Sequence, residues 1–518
     1  MTTIPAALRA AADRFADDEA LVDEGRRLTF AELASAAEEA ARAFVASGVE
    51  PGDRVAIWAP NSAPWIIAAF GVYLAGAVLV PLNTRYKGEE AGHVLRTSQA
   101  KLLLLTTDFV GTSNLALLEG VAGLDAIEEI VVIDGPVPDD RVSWSAFLQR
   151  AASVDAAAIA EREAAIRPDD TCDIIFTSGT TGAPKGAMLC HGASVDTYVA
   201  WSELVGLRRG DRYLLVYPLF HTAGLKSVVL ASVLTGATIV PEPVFDVPTV
   251  MKRVADERIT MLPGPPTVFQ SILNDPALPS FDLSSLRLSV TGAAVVPVSI
   301  VKRMREELKF ETVVTGYGLT ETTGTVSMCR HDDPPDVIAE TVGRPLPGVE
   351  VRVVDDDGND VPQGQPGELL VRGFNLMKGY FNDPVATAAA VVDGWLHTGD
   401  IGLVDDGGNL RITDRKKDMF IVGGFNAYPA EIEAMMLGHP DIAQVAVVGV
   451  PDERMGEVGV AFVIPTAGHA VDSAEVVAWC REAMANFKVP RRVEVVDALP
   501  VTPSGKVQKF VLRQRLGF

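Results

Sequence analysis

The sequence predicts an α/β protein: a large N-terminal body of two similar α/β layers plus a small β segment, then a mobile α+β C-terminal domain. Three observations carry this. The stretch "LAGAVLVP" at Leu74–Pro81 returns as "LTGATIVP" at Leu234–Pro241, each time after an apolar helical run. Both read as helix, glycine turn, short apolar strand and proline stop. Other strands are short and apolar throughout rather than alternating, as in sheets buried on both faces. Finally, the texture changes after about Thr341 and again near "RITDRKKDMFIVGG".

Taken in order, "MTTIPAALRAAADRFADDEA" lacks a basic start followed by an apolar run, so no export signal is visible. Trp65 to Leu82 is uncharged for 18 residues, but Gly71, Gly76 and Pro81 interrupt it. It reads as a buried helix, a turn at Gly76 and a buried strand at Val78–Val80, not as a membrane span. Further strands are expected at "RVAIWAP" (from Arg54), "KLLLLTT" (Lys101), "EEIVVID" (Glu128), "RYLLVYP" (Arg212), "ITMLPGPP" (Ile259) and "LRLSVTGAA" (Leu286). "DIIF" and "GAMLC" flank a glycine-rich loop as two short strands with no long helix after. Beyond Thr341, "PGVEVRVVDDDGNDVPQGQPGELLVRG" alternates between turn residues, which predicts antiparallel strands. The N-terminal body is therefore placed at 1–413, with two α/β subdomains at about 1–340 and the β segment at 341–413. The C-terminal domain takes 414–518.

The chain has 518 residues, which suggests roughly two to four domains. It is 48% hydrophobic and 22% charged, the balance of a soluble globular protein. A formal net charge of −23 argues against nucleic acid as a partner, because phosphate backbones repel an acidic surface. Cations that meet an anionic ligand must then be local. Cys172, Cys190, Cys329 and Cys480 lie far apart with no CxxC pair, which predicts reduced thiols in a cytoplasmic protein. The seven histidines show no HxxxH or HxxE spacing for a metal. Oligomeric state is not readable, and a homo-oligomer is left open.

The loop "FTSGTTGAPKGAM", Phe176 to Met188, packs hydroxyls around two glycines with Lys185 close behind. Backbone amides and hydroxyls in such a turn donate to phosphate oxygens. It is not a Walker A loop: Gly186 follows Lys185, where a Ser or Thr would stand. An ordinary loop with a solvated lysine is the plainer alternative.

The loop resembles the phosphate signature of the adenylate-forming enzymes: acyl- and aryl-CoA synthetases, peptide-synthetase adenylation domains and firefly luciferase. Further motifs of that family follow in the same order: "YPLFHTAG", "TGAA", "TGYGLTETTG", "GWLHTGDIG", "ITDRKKDMFIVGGFNAYPAEIE" and "PVTPSGKVQKF". The resemblance spans nearly the whole chain. It implies an acid–thiol ligase of the AMP-forming acyl-CoA synthetase kind. An acid and ATP give an acyl-adenylate and pyrophosphate; coenzyme A then gives the thioester and AMP. Such chemistry needs alignment of anions and stabilisation of charge rather than a protein nucleophile, and no GxSxG elbow is present.

The resemblance also implies roles. Thr177, Ser178, Gly179, Thr180, Thr181 and Lys185 would hold the β- and γ-phosphates. Gly292, Ala293 and Ala294 would line the adenine, and Tyr317 would stack on it. Thr320 would touch the α-phosphate, and Glu321 would bind Mg2+. Asp400 would accept the ribose hydroxyls, with Arg415 near the ribose. Lys506 would bridge the acid and the α-phosphate. His221 would gate the acyl pocket from the pantetheine tunnel without acting as a base. Lys417 would be the hinge on which the C-terminal domain turns, bringing Gly423 and Gly424 to the CoA tunnel. Phe425 departs from the acidic residue of many relatives, so no role is carried over to that position; "GKVQKF" departs from the common "GKILR" but keeps Lys506.

For the acid, residues near Trp201, His221 to Lys226 and Met261 to Phe269 are expected at the acyl pocket. Lys226 reads either as a surface lysine or as the partner of a polar group or second carboxylate on the substrate. The run from "LPGPPTVFQSILNDP" to "TGAAVVPV", with "GGFNAYPAEIE", resembles an actinobacterial branch of CoA ligases from steroid breakdown, which includes activation of a hexahydroindanedione propanoate. A medium- or long-chain fatty acid ligase, a carrier-protein-loading enzyme, a luciferase-like oxygenase and a non-catalytic nucleotide-binding protein are the alternatives.

Overall fold

The two octapeptide echoes belong to longer units. Gly52-Asp53-Arg54 opens one strand and Gly210-Asp211-Arg212 opens another, a repetition the octapeptides alone do not reveal. In the computed structural model the two units share one register: Arg54 faces Val78 and Arg212 faces Thr238, both in parallel pairs. Each unit runs strand, helix, glycine turn, strand. Gly76 (φ +75°) and Gly236 (φ +79°) make the turns in the left-handed region that a side chain resists. The structure describes residues 2–177, 184–291, 298–415, 418–422, 425–452, 455–484, 486–501 and 507–518, without the side chains of 267, 414, 415, 425 and 426.

The first unit lies in an eight-stranded sheet. Its order is Gly379–Tyr380, Lys185–Cys190, Thr171–Thr177, Val78–Pro81, Arg54–Trp58, Leu102–Thr106, Glu129–Asp134, Val142–Ser143. The second unit lies in a sheet ordered Arg212–Leu215, Thr238–Pro241, Glu19–Asp23, Arg26–Thr29. Helix Ala63–Leu74 is buried at every residue but Pro64, as its unbroken apolar sequence requires. No described helix is long and apolar enough to cross a membrane.

Asn61 braces the two layers. Its amide nitrogen donates to the carbonyls of Leu215 (3.1 Å), Tyr217 (3.0 Å) and Glu242 (3.1 Å), and its oxygen accepts from the Leu219 amide at 3.0 Å. One buried side chain thus ties the exit of the first unit to both strand ends of the second.

Two expectations need correction. "ITMLPGPP" forms no strand; Met261 alone makes parallel bridges, to Tyr213 on one side and Leu288 on the other. Pro263, Pro265 and Pro266 lack the N–H a ladder needs, so pairing stops there. And a long helix does follow "GAMLC": His191–Val205, 15 residues, starts where that strand ends.

Beyond Arg344 the predicted antiparallel segment appears as a five-stranded sheet ordered Val349–Val354, Gly367–Gly373, Trp395–Val404, Val391–Val392, with Leu410–Arg415 joined to Trp395–Val404. The smaller C-terminal domain builds its own sheet from Phe420–Val422, Phe425–Ala427, Ile442–Asp452, Gly456–Pro465 and Arg492–Val495. Its core includes Phe420, Ile432, Met436 and Val463. The four cysteines are free thiols; Cys172, Cys329 and Cys480 are buried and Cys190 is half-buried.

Candidate active site

The glycine-rich loop joins two antiparallel strands, Thr171–Thr177 and Lys185–Cys190, in a register that sets Thr177 opposite Lys185. A side chain at Gly186 would meet Ile174 Cγ2 at 2.5 Å, so this base is packed without room. Ser178, Gly179, Thr180 and Thr181 lie outside the described residues, as do Gly292, Ala293, Ala294, Lys417, Gly423, Gly424 and Lys506.

The strand Lys185–Cys190 is paired on its other edge by a segment nearly two hundred residues later. Gly379 faces Met188 and Tyr380 faces Ala187. The Lys378 amide donates to the Met188 carbonyl at 2.9 Å, and the Phe381 amide to the Gly186 carbonyl at 2.8 Å. This places the Tyr380 ring beneath the Lys185 ammonium, 5.2 Å from the ring centroid. The Tyr380 hydroxyl donates to Glu321 Oε1 at 2.8 Å. Burial, then the Glu321 charge, raise the Tyr380 pKa, so the phenol stays protonated and remains the donor.

Glu321 and Thr320 sit in a single 3₁₀ turn, Thr320–Thr322. The surrounding "GYGLTETTG" closes on itself: a Cβ on Gly318 would lie 2.2 Å from the Gly324 carbonyl oxygen. Gly324 has φ +94°, and its Cβ would meet Tyr198 Oη at 2.6 Å. The Glu321 carbonyl accepts from the Met377 amide at 2.8 Å, and Thr323 Oγ1 donates to the Asn375 carbonyl at 2.7 Å. The turn is therefore clamped to the segment that carries Tyr380.

Strand Thr312–Tyr317 runs parallel to Leu288–Thr291, which ends immediately before Gly292. At its end the Tyr317 hydroxyl donates to Asp400 Oδ2 at 2.5 Å. Asp400 is buried, and its strand register puts Arg415 directly opposite. The structure thus brings Tyr317, Asp400 and the Arg415 backbone together at one point. Buried carboxylate and phenol can trade hydrogen bonds with a polyhydroxylated ligand.

His221 Nδ1 accepts from the Ala223 amide at 3.1 Å. In the neutral ring this assigns the proton to Nε2. Nδ1 is thereby engaged by the backbone two residues on. The segment after it, Ala223–Leu230, is π-helical; Gly224 fits because a Cβ there would stand 2.3 Å from the Pro218 carbonyl oxygen.

Lys226 fits neither of its two sequence readings. It is neither on the surface nor available to a substrate: its ammonium meets Asp173 Oδ2 at 2.5 Å, with side-chain exposures of 1% and 0%. Asp173 also accepts from the Tyr73 hydroxyl (2.5 Å) and the Cys172 thiol (2.9 Å). Burial works to lower the Lys226 pKa, but Asp173 outweighs it and holds the ammonium above its ordinary value. The reason lies in the helix: Lys226 faces inward among buried Leu225, Ser227 and Val228 and takes the partner that the strand below supplies. Trp201, Met261 and Phe269, expected at the acyl pocket, are buried; Trp201 packs on Tyr198 and Phe269 on Phe310.

Sequence reasoning missed Tyr380, Asn61 and Asp173. For Asp173 a signal existed: a lone acid in the apolar strand "TCDIIFT" and a lone lysine in the apolar run "AGLKSVVL" are each too costly to bury alone. Tyr380 left no such signal, because its partners come from a sheet edge that pairs across the chain.

The model of the AMP-binding enzyme family matches residues 8–381, and that of the AMP-binding enzyme C-terminal domain matches residues 431–506. The chain belongs to this family. It is similar to the 7a-methyl-1,5-dioxo-octahydro-1H-indenyl propanoyl:CoA ligase of Rhodococcus jostii (strain RHA1), 47% identical over 99% of this chain and 98% of that one. The ligase of the same name from Mycobacterium tuberculosis is also 47% identical, over 99% of both chains. Among solved structures, the anthranilate CoA ligase AuaEII in complex with anthranoyl-AMP superposes with TM-score 0.88 at 28% identity, over 99% of this chain and 97% of that one. ATP-bound MatB from Rhodopseudomonas palustris gives TM-score 0.86 at 29% identity, over 99% of both chains. The chain is an AMP-forming acyl-CoA ligase, and enzymes of this family use ATP with Mg2+ and take CoA as co-substrate. The donor set fits such a cation. Glu321 offers a carboxylate, the hard oxygen donor that Mg2+ takes together with substrate phosphates, and among the described residues no group of three or more His, Cys, Asp or Glu could hold a metal alone.

Proposed function

We propose that the protein joins CoA to a ring-bearing propanoate of the hexahydroindanedione type. In the first step a carboxylate oxygen bonds to the α-phosphorus of ATP and the bond to pyrophosphate breaks. In the second the CoA sulfur bonds to the acyl carbon, AMP leaves with its oxygen, and the thiol proton passes to solvent. The observation that carries the substrate is end-to-end 47% identity with two ligases named for that acid. The sequestered Lys226 agrees with it, since an ammonium locked on Asp173 cannot serve a second carboxylate on the substrate.

Within this reading Thr177 and Lys185 hold the terminal phosphates with Ser178, Gly179, Thr180 and Thr181. Thr320 meets the α-phosphate. Tyr317, Gly292, Ala293 and Ala294 frame the adenine, and Asp400 with Arg415 takes the ribose. Support for this grouping comes from the Tyr317–Asp400 hydrogen bond and the Asp400–Arg415 register. When bound, Mg2+ supplies positive charge against the phosphates, and Glu321 is the residue that would hold it. Lys506 serves adenylation, His221 gates the acyl side, and the domain beyond residue 413 turns near Lys417 to bring Gly423 and Gly424 toward CoA. The free thiols accord with work in the cytoplasm.

The test is AMP release across a panel of acids with ATP, Mg2+ and CoA. The ring propanoate is expected to give the highest kcat/KM. A clear preference for octanoate or palmitate would overturn the reading.

A further inference from the structure

The site holds two opposite charges that do not meet. Lys185 is the cation nearest the phosphate loop on the described part of its strand, and Glu321 is a carboxylate that meets the same tyrosine. Tyr380 stands between them. Its ring face carries the Lys185 ammonium at 5.2 Å from the centroid, an attraction to the π-electron face. Its hydroxyl donates to Glu321 Oε1 at 2.8 Å. Among the described residues, Glu321 Oε2 takes no hydrogen bond.

The phenol itself cannot drift. Its backbone amide donates to Thr387 Oγ1 at 2.8 Å, and Thr387 Oγ1 donates to the Asp383 carbonyl at 2.8 Å. Gly379, at φ +139°, lets the chain pass 2.8 Å from Thr387 where a Cβ would sit. The pairing with Ala187 fixes the other edge.

We propose that Tyr380 is the positioning residue of the metal–phosphate site. Its hydroxyl turns Glu321 so that Oε2 faces an incoming divalent cation, and its ring holds Lys185 apart from that carboxylate until polyphosphate arrives. The role extends the ligase reading at one point only, the assignment of Glu321 to the cation, and does not depend on which acid is used.

The test uses the full chain and ATP itself, titrated calorimetrically with excess Mg2+ and again with EDTA. Tyr380→Phe keeps the ring and removes the hydroxyl. A hydrogen bond to a charged group corresponds to roughly a tenfold to hundredfold effect on an equilibrium. Tyr380→Phe is expected to raise the Kd for ATP with Mg2+ by about that factor and to leave the Kd in EDTA within about twofold. In a Glu321→Gln background the same substitution should add nothing, because it acts through the carboxylate. Tyr380→Ala, which also removes the ring, should weaken binding in EDTA as well; if that variant does not fold, the phenylalanine variant carries the test alone. Equal weakening with and without Mg2+ in Tyr380→Phe, or no change in either, would overturn the proposal. Because no acid is present, failure of the ring propanoate as substrate would sink the functional reading and leave this result standing.

Discussion

Replacing Asp173 by Asn removes the counter-charge of an ammonium that has 1% of its side-chain surface exposed. An uncompensated charge at such a site costs about 3–5 kcal/mol, roughly a 10²- to 10⁴-fold change in the folded-to-unfolded ratio. Lys226→Met should cost a similar amount, because it strands the carboxylate with only the Tyr73 hydroxyl and Cys172 thiol as donors. The double variant removes both charges and keeps the volume, so it should cost less than either single one. Urea unfolding followed by tryptophan fluorescence reads this, since Trp58, Trp65 and Trp201 are all buried in the N-terminal body. The loss in Asp173→Asn should also shrink as pH rises toward about 10. With no partner the folded ammonium has a lowered pKa, so the unfolded chain binds more protons and stability climbs with pH. In the wild type the Lys226 pKa is raised, so its contribution is full below the unfolded value and is lost as pH rises through the folded one. Additive single and double losses, or a pH-independent deficit, would refute the buried-pair argument.

Other outcomes follow from neighbouring features. His191 is pushed down to about 4 by burial and by Lys226, with Asp173 and Asp170 opposing. Its neutral form therefore contributes stability above about pH 6.5 that is lost as pH falls toward 4, on the order of 3 kcal/mol, and His191→Gln should flatten that acid limb in a pH series of urea midpoints. Gly324→Ala places a side chain at φ +94° and 2.6 Å from Tyr198 Oη, which should cost about 1–3 kcal/mol and lower AMP release with it, checked by thermal midpoint and turnover. Lys506→Ala should lose acyl-adenylate formation by roughly a hundredfold or more while thioester formation from supplied acyl-adenylate persists; equal loss of both half-reactions would contradict the assigned division of labour.

What the sequence made legible was whatever repeats or runs locally. The glycine turns at Gly76 and Gly236, the buried helix Ala63–Leu74 and most short strands follow from apolar runs and their stops, all of them local properties. Met261 escaped because an apolar stretch looks like a strand until its prolines are counted as missing donors. Lys226 escaped because its environment is set by Asp173, 53 positions earlier, and burial of a charge is decided by the pair. Tyr380 escaped for the same reason at longer range: the edge of the strand at Lys185 is supplied by residues 379–380. The Tyr317–Asp400 contact joins a parallel strand to an antiparallel sheet, and no single-segment pattern announces such a meeting.

The paired Gly-Asp-Arg units differ in length at one place. Aligned on their strands they are offset by 158 positions (54 to 212), and aligned on their turn glycines by 160 (76 to 236), so the second unit is two residues longer in between. The helices start at Ala63 and Ala223, an offset of 160, which confines the difference to the strand exit: "NS" after Pro60 in one unit, "LFHT" after Pro218 in the other. His221 lies inside the longer exit. The shorter exit carries Asn61 as a scaffold brace, while the longer one carries the imidazole and a π-wound helix behind it. One unit thus spends its exit on bracing the two layers, while the other is two residues longer there; deleting two residues from "LFHT" asks whether the second strand–helix unit can be built with the shorter exit.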